Sequence, residues 1–283
     1  MILIDLNQVL ISNLMMTVNS DPSIKLNENL IRHTVLNSLR SYIQQFRSKY
    51  GDVVICCDSK KYWRRDVFPF YKCNRKKDRD KSDFDWGLIF ETLNKIRDEL
   101  KENFPYRVIE VEGAEADDVI AVLAKKFCMT EDILILSSDK DFVQLQRNKN
   151  ILQYSPILKR FISTEDPKTF IKEHILKGDR GDGIPNFLSA DNVFVTGERQ
   201  KSINKKKMTE WLVQDPTEFC TSDTMLRGYN RNQMLVDLDY IPKDISNNIL
   251  EAYETTKPST KSKMVNYFIE KRLVSLMEVA NEF

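Results

Sequence analysis

The 283-residue chain predicts an α/β fold: a mostly parallel sheet flanked by helices, with a basic insert and a smaller helical C-terminal region. Three observations predict it. Short apolar runs alternate with helical stripes through about residue 155, the order that a parallel sheet with covering helices requires. Beyond "STEDPKTF" the strand signal disappears. Four apolar runs stop at acidic residues, and C-terminal strand ends of a parallel sheet share one edge, where ligands of α/β folds bind.

"MILID" reads as a short strand ending at Asp5. "NENLIRHTVLNSLRSYIQQFRSKYG" puts Leu30, Ile31, Val35, Leu39, Tyr42, Ile43 and Phe46 on one helical stripe, with Asn27 as N-cap and Gly51 as stop. "DVVICCD" is a strand ending at Asp58, "GLIFETLNKIRDEL" a helix and "RVIEV" a strand. "GAEADDVIAVLAKKF" turns into a helix, "ILILS" is the next strand, and "NILQYS" reads as one more at a sheet edge. Downstream, "PKTFIKEHILKG", "KKMTEWLVQ", "DISNNILEAYE" and "KMVNYFIEKRLVSLMEVANEF" have helical spacing. The expected division is an α/β core over residues 1–165, including the basic insert at 60–85, and a helical region over 166–283.

The bulk numbers narrow the class without naming a partner. Lys and Arg total 43 against 42 Asp and Glu, a net charge of +1. Charged residues are 30% and hydrophobic residues 41%, as in soluble globular proteins. The five cysteines (Cys56, Cys57, Cys73, Cys128 and Cys220) include no C-x-x-C spacing, so zinc and dithiol chemistry are not indicated and a reducing cytosol is expected. The apolar N-terminus lacks a basic lead-in and is interrupted by Asp5, Asn7 and Gln8, which argues against a secretory signal or a membrane span.

The acids at the strand ends are the main functional signal. They are Asp5, Asp58, the set Glu115, Asp117 and Asp118 at a helix start, and the pair Asp139 and Asp141. One aspartate after a strand is commonly an N-cap, and acids in a first helical turn complement the dipole. Repetition at every strand end points instead to a shared site. Two carboxylates in close contact repel by ~4 kcal/mol at an effective dielectric of about 20, so the cluster requires counter-charge. An all-oxygen set without Cys or His suits magnesium, with manganese as a substitute. Two such ions activate water and stabilise the leaving oxygen in phosphodiester displacement. His33 and His174 read as helix surface or core residues.

From Lys60 to Lys81 runs "KKYWRRDVFPFYKCNRKKDRDK", with ten Lys or Arg, three Asp and five aromatics. Cations there contact phosphates, and Tyr62, Trp63, Phe70 and Tyr71 are candidates to stack on unpaired bases. Such a charged segment is expected to order on its ligand. A second basic run, "RQKSINKKK", brings Lys205, Lys206 and Lys207 to a helix start, for duplex phosphates or simply as a polar loop.

Taken together, "LIDLNQ", "YWRRD" with "YK-NR-K", "EADD-IAVL-KKF", "SSDKDF-QL", "LKGDRGD" and "LVDLDYIP" resemble the 5′-nuclease family of flap endonucleases and 5′-exonucleases, and "YWRRD" narrows this to its phage branch. The resemblance covers nearly the whole chain and implies a PIN-like nuclease core bearing an arch. It implies that Asp5, Asp58, Glu115, Asp117 and Asp139 surround one metal, that Asp141 and Asp182 belong to a second, and that Asp118 and Asp179 support them. Arg64 and Lys72 match arch cations that hold the scissile phosphate, and Tyr71 matches the aromatic against which a terminal base packs. Arg65, Arg75 and Lys76 extend the same nucleic-acid-binding surface. The family's helix-three-turn-helix, a duplex-binding element, is represented by "KGDRGDGIPNFLSADN". It keeps Asp179, Asp182 and Pro185 but has Gly183 in place of Asn and Asn186 where glycine is the pattern.

The implied activity is magnesium-dependent 5′-3′ hydrolysis of RNA–DNA hybrids, flaps and nicked duplex DNA, removing RNA primers at replication forks. The chain would act as a monomer in the cytoplasm of an infected cell, with a single-stranded-DNA-binding protein and a sliding clamp as further partners. Two other classes stay open on the residues alone: a magnesium-dependent phosphatase, and a non-catalytic single-strand or fork-binding protein.

Overall fold

The computed structural model describes residues 1–21, 23–82 and 84–283, apart from the side chain of Asp78. The chain opens with β1 (Ile2–Asp5), α1 (Leu6–Ser20), α2 (Glu28–Tyr50) and β2 (Val53–Cys57). Two short helices, α3 (Trp63–Val67) and α4 (Asn74–Arg79), precede α5 (Trp86–Asn103) and β3 (Arg107–Glu110). Then come α6 (Ala116–Phe127), β4 (Ile133–Leu136), a 3-10 helix (Lys140–Arg147), β5 (Ile151–Ser155) and β6 (Arg160–Ile162). The rest is helical: α7 (Pro167–Lys177), α8 (Val193–Thr196), α9 (Lys205–Val213), α10 (Pro216–Phe219), α11 (Asp223–Val236), α12 (Lys243–Thr255), α13 (Lys261–Glu270) and α14 (Val274–Met277).

By contacts the chain divides into two units. One comprises Met1–Lys60, Asp85–Ser163 and Asp244–Phe283; the other comprises Lys61–Phe84 and Thr164–Lys243. This partition cuts across the expected one. The basic insert groups with residues 164–243, and the last forty positions group with the sheet, because their apolar faces pack there.

The first unit holds one six-stranded sheet, ordered β3-β2-β1-β4-β5-β6. All neighbours are parallel except β5 and β6. β1, β2 and β4 are apolar at nearly every position because both sheet faces are covered, so no polar alternation survives. β5 is not the edge strand expected. It pairs with β6, a three-residue strand whose signal is too short to read. Helix α1 also escapes the sequence reading, since Asn7, Gln8 and Asn13 interrupt the stripe that Leu6, Val9, Leu10 and Leu14 bury. For α2 the reading matches: the Asn27 side chain accepts from Leu30 N–H and Gly51 closes the helix at φ 76.

Residues 244–283 are fastened within this unit by rings and charge. Phe104 lies edge-on to Tyr267, Phe268 and Phe283 at 5.4–5.8 Å. The Arg32 guanidinium, 2% exposed, donates twice to Glu99 at 2.9 Å, and Tyr267 Oη donates to the same carboxylate at 2.7 Å. Hydrogen bonds from Arg32 and Tyr267 hold the Glu99 carboxyl below the usual range, against its burial. Glu99→Gln leaves a buried guanidinium with a weakened partner. We expect about 3 kcal/mol lost in denaturant unfolding, part of it restored by adding Arg32→Met. An unchanged midpoint would refute that role.

The second unit is built around aromatic and aliphatic side chains. Phe68 and Tyr71 of the insert are buried with Ile175, Leu176, Phe187 and Trp211. Among the described residues no helix is long and apolar enough to cross a membrane.

Candidate active site

Strand order explains how distant acids meet. Going from β1 to β2 to β3 the sheet grows one way; from β4 to β5 it grows the other. The crevice at the C-terminal ends of β1 and β4 is therefore the switch point where α/β sheets bind ligands. Register then sets the levels. Asp5 is opposite Cys56, and Ile4 is opposite Leu136. Asp58 and Asp139 each lie two residues past the level of Asp5, just beyond the ends of the strands flanking it. Neighbouring strands are ~4.8 Å apart, so the three side chains are within reach of one another.

Hydrogen bonds hold Asp5, Asp58, Asp118 and Asp139 in place. Asp5 accepts from Gln8 N–H at 3.1 Å and from Ser137 Oγ–H at 3.0 Å. Ser137 Oγ in turn accepts from the Asp139 N–H at 3.1 Å, so one hydroxyl ties both acids together. Asp58 accepts from Asn7 Nδ2 and from the Ala116 N–H, both at 2.8 Å, which ties β2 to the start of α6. Asp139 accepts from the Asp141 N–H at 2.9 Å. Glu115 and Asp118 are buried, and Asp118 accepts from the Glu115 N–H at 2.9 Å, serving as a cap. Asp117, half-buried on the first turn of α6, lies near enough for its charge to raise the Cys56 thiol.

This geometry has an electrostatic cost. Burial, then the charge of Asp58, push the Asp5 carboxyl up to about 7; Asp139 adds to the rise, and the bonds from Gln8 and Ser137 pull the other way. A carboxyl raised this far by burial and like charge is what a bound cation would reverse. The donor set of the edge is oxygen throughout, which fits a hard divalent ion.

Three contributors escape the sequence reading: Ser137, Asn7 and Gln153. Gln153 is fully buried in β5, and its amide donates to the carbonyl oxygens of Ser137 at 2.9 Å and Asp139 at 2.6 Å. A lone glutamine inside the apolar run "NILQYS" is the signal that could have found it.

The second unit holds the remaining candidates. Asp179 follows α7 and accepts from the Gly181 N–H at 2.7 Å, while His174 Nε2 is 3.1 Å from its other oxygen. His174 is thus a buried neighbour of a candidate acid. Asp182 accepts from Tyr71 Oη at 3.0 Å and Arg75 at 2.6 Å, with Lys72 Nζ at 3.9 Å. Lys72 sits in the left-handed region at φ 56, and its ammonium lies 5.0 and 5.5 Å from the Tyr71 and Tyr62 ring centres. Gly183, at φ 71, lets the Phe70 carbonyl oxygen approach to 2.8 Å of where a Cβ would be. Asn186, at the family's glycine position, bonds through its amide to the Lys201 carbonyl oxygen and to Ser189.

The aromatic half of the insert departs from expectation. Trp63, Phe68 and Tyr71 are core side chains here, 3–7% exposed, so their faces are not offered to bases. Arg64, expected on a phosphate, is also buried and donates from Nε to the Leu235 carbonyl oxygen at 2.9 Å. The physical reason is that each of these three large rings gains more from burial than from contact with water, and the flanking charges of Arg65, Arg75 and Lys76 stay exposed. Arg65, Arg75, Lys76, Lys205, Lys206 and Lys207 are exposed, as phosphate contacts require.

With this geometry in view, the family model for the 5′-3′ exonuclease N-terminal resolvase-like domain matches residues 2–175. The chain belongs to the 5′-3′ exonuclease family. A second model, the C-terminal region of T4 RNase H, matches residues 166–283 of this family member. Ribonuclease H of Enterobacteria phage T4 is 36% identical, over 99% of this chain and 95% of that protein. A Buchnera aphidicola 5′-3′ exonuclease is 31% identical over 53% of each chain. Among solved structures, the bacteriophage T5 D15 flap endonuclease, a pseudo-enzyme-product complex with DNA and metal ions, superposes with TM-score 0.61 at 20% identity. It covers 90% of this chain and 99% of that one. The zinc-bound T5 5′-exonuclease gives TM-score 0.62 at 17% identity, covering 91% and 99%. At such identities these two speak for the fold.

Proposed function

We propose that this 5′-3′ exonuclease family member is a divalent-metal-dependent nuclease that hydrolyses phosphodiesters from a 5′ end and leaves a 5′-phosphate. Its substrates on this reading are RNA–DNA hybrids, 5′ flaps and nicked duplexes, in line with relatives named ribonuclease H, 5′-3′ exonuclease and flap endonuclease. The observation that carries it is the burial of Asp5 beside Asp58 and Asp139 at the switch point, a cost that a bound divalent cation would offset while leaving the carboxylates ionised.

Asp5, Asp58, Glu115, Asp117, Asp139 and Asp141 are the residues we assign to hold magnesium, with two ions as the intended number. When bound, magnesium would lower the pKa of water and neutralise charge on the leaving oxygen. The chain's own residues supply the order. Gln8 and Ser137 orient Asp5, Asn7 and the Ala116 N–H orient Asp58, and Gln153 pins the backbone on either side of Ser138. Asp179 and Asp182 carry the metal roles that the family resemblance gives them, as proposed roles. Lys72 and Arg75, which now face the Asp182 carboxylate, are chemically suited to a phosphate in its place. Lys205, Lys206 and Lys207 crowd the first turn of α9, against the helix dipole, and are the proposed contacts to duplex backbone.

Asp139→Asn is expected to lower kcat by at least on the order of 10²-fold with the fold intact by circular dichroism. The assay is cleavage of a 5′-labelled RNA–DNA hybrid and of a flap duplex, with magnesium, then EDTA, then magnesium restored. Cleavage that survives EDTA, or full turnover by the variant, would overturn the reading. Binding without cleavage by the native chain would indicate a fork-binding protein instead.

A further inference from the structure

Asp179 and Asp182 differ from the strand-end acids in what supports them. They lie on the bend after α7, outside the strands of the sheet, so no ladder register sets their level. Local bonds shape the bend. The Asp179 carboxylate accepts from the Gly181 N–H at 2.7 Å and the Asp182 N–H at 3.2 Å, and the Ile184 N–H donates to the Asp179 carbonyl oxygen at 2.7 Å. These bonds do not fix where the bend stands in the second unit.

One face of α11 does. Gly228, Arg231 and Asn232, at i, i+3 and i+4, share that face and are all buried. A Cβ on Gly228 would lie 2.1 Å from the Phe187 carbonyl oxygen, so α11 meets the chain after the bend backbone to backbone. Arg231, 9% exposed, donates from Nη2 to the carbonyl oxygens of Pro185 at 2.9 Å and Asn186 at 3.3 Å. From Nη1 it donates to the Ser189 carbonyl oxygen at 3.4 Å and to the Asp191 carboxylate, its counter-charge. Its Nε donates to Asn232 Oδ1 at 2.9 Å, and Asn232 Nδ2 donates to the carbonyl oxygens of Ile175 at 2.8 Å and Pro185 at 2.9 Å. Two neighbouring side chains thus tie the last turns of α7 to the chain that returns after the acids. The same helix holds the insert: Arg64 donates to the Leu235 carbonyl oxygen, and the Arg231 guanidinium lies 5.6 Å from the Phe68 ring centre. The insert meets the bend where the Lys72 N–H donates to the Asp182 carbonyl oxygen at 2.7 Å.

We infer that Arg231 is a positioning residue: with Asn232 and Gly228 it holds the Pro185, Asn186 and Ser189 backbone, and thereby sets where Asp179 and Asp182 present their carboxylates. A guanidinium is costly to bury, and an apolar side chain of similar volume would fill the space at less penalty. What the apolar side chain lacks is the planar fork, which satisfies several carbonyl oxygens at a bend that has no ladder partners. Side chains that orient ligands without touching the metal govern metal affinity nearly as strongly as the ligands do. That the two acids hold metal rests on the nuclease reading above; the bracing of the bend does not.

The test begins without metal or substrate, by hydrogen exchange of backbone amides in the full chain in EDTA. Arg231→Met should speed exchange of the Ile184, Phe187 and Lys72 amides on the order of tenfold, with the amides of β1 and β2 unchanged. Arg231→Lys keeps the charge without the fork and should fall between Arg231→Met and the native chain. Val236→Ala opens a cavity in the same helix and the same apolar cluster. It should lower the unfolding midpoint while those three amides stay in step with the rest of α7 and α11. Manganese uptake by calorimetry follows, and the weaker site should lose affinity on the order of tenfold in Arg231→Met and none in Val236→Ala. In cleavage, Arg231→Met should raise the magnesium needed for half-maximal rate and leave the substrate KM at saturating magnesium within about twofold. Native exchange at the bend in Arg231→Met would overturn the inference, as would a loss of protection spread evenly through the unit as in Val236→Ala. Unaltered manganese affinity in a variant whose bend has loosened would also overturn it. If Arg231→Met does not fold, Arg231→Lys is read by the same criteria. A native chain that takes up manganese but cuts nothing would remove the nuclease reading and leave the role of Arg231 standing. Full cleavage by a native chain whose bend does not depend on Arg231 would do the reverse.

Discussion

Asp5→Asn is expected to abolish turnover and, in the same variant, to make the metal-free protein more stable at pH 8. Both effects have one cause. In the folded chain, burial and the charge of Asp58 raise this carboxyl to about 7, against an ordinary value of 3.8. A raised acid contributes no penalty below its unfolded value, where it is protonated in both states. The penalty grows as pH rises from about 4 to 7, because the unfolded chain ionises first, and above 7 it is complete. The upper bound is about 4 kcal/mol for a shift of this size, and we expect on the order of 2 kcal/mol after local relaxation. The neutral amide escapes it. It can still accept from the Gln8 N–H and meet the Ser137 hydroxyl. Calorimetry of the EDTA-treated proteins should give roughly 5 °C or more in favour of the variant at pH 8, shrinking toward zero near pH 4. Magnesium should stabilise the native chain more than the variant and close the gap. A variant less stable than the native chain at pH 8 without metal would show that the strand-end acids are not in conflict.

Gly178→Ala is expected to collapse activity by a different route. Gly178 ends α7 at φ 68 and ψ −172, a conformation essentially restricted to glycine. A Cβ there would also lie within about 2.5 Å of the Pro185 carbonyl oxygen, with backbone on both sides unable to yield cheaply. Strain of 1–3 kcal/mol for the dihedral, with a similar cost for the clash, gives roughly 3 kcal/mol or more. The loop that follows bears Asp179 and Asp182, and it is closed by the Ile184 N–H donating to the Asp179 carbonyl oxygen at 2.7 Å. Displacing that backbone moves both acids together. We expect loss of kcat with a lowered unfolding midpoint, whereas Gly51→Ala, where a Cβ meets open space at φ 76, should cost only dihedral strain and leave kcat alone. Equal effects at the two glycines would mean that the approach of residues 184 and 185 is unimportant.

The site was partly legible without coordinates. Asp5, Asp58 and Asp139 were readable because parallel strands end on one edge whatever their order in the chain. The capping role of Asp118 was readable only as one of two options, since an acid three residues after Glu115 suits a helix start and a metal equally. Ser137, Asn7 and Gln153 were not readable as site residues. Their importance comes from which strand lies beside which, and a serine beside a serine in "SSDKD" has no local mark of the one that bridges. The insert was misjudged in its aromatic half. Tyr71 and Phe68 look alike whether they await a base or fill a core, and only the packing of α7, α9 and α11 around them decides.

By itself the sequence determined the pattern that points to the chemistry: short apolar runs that read as buried strands, each followed by acids. Those are properties of residue type and spacing, which act locally. Tertiary structure alone decided that β1 lies between β2 and β4, which buries Asp5, sets it beside two further charges and so raises its pKa. It alone decided that Lys77 and Lys81 line one cleft with Arg180 and Arg199, far from them along the chain. The reason is that electrostatic energy depends on distance in space, and separation along the chain does not report it.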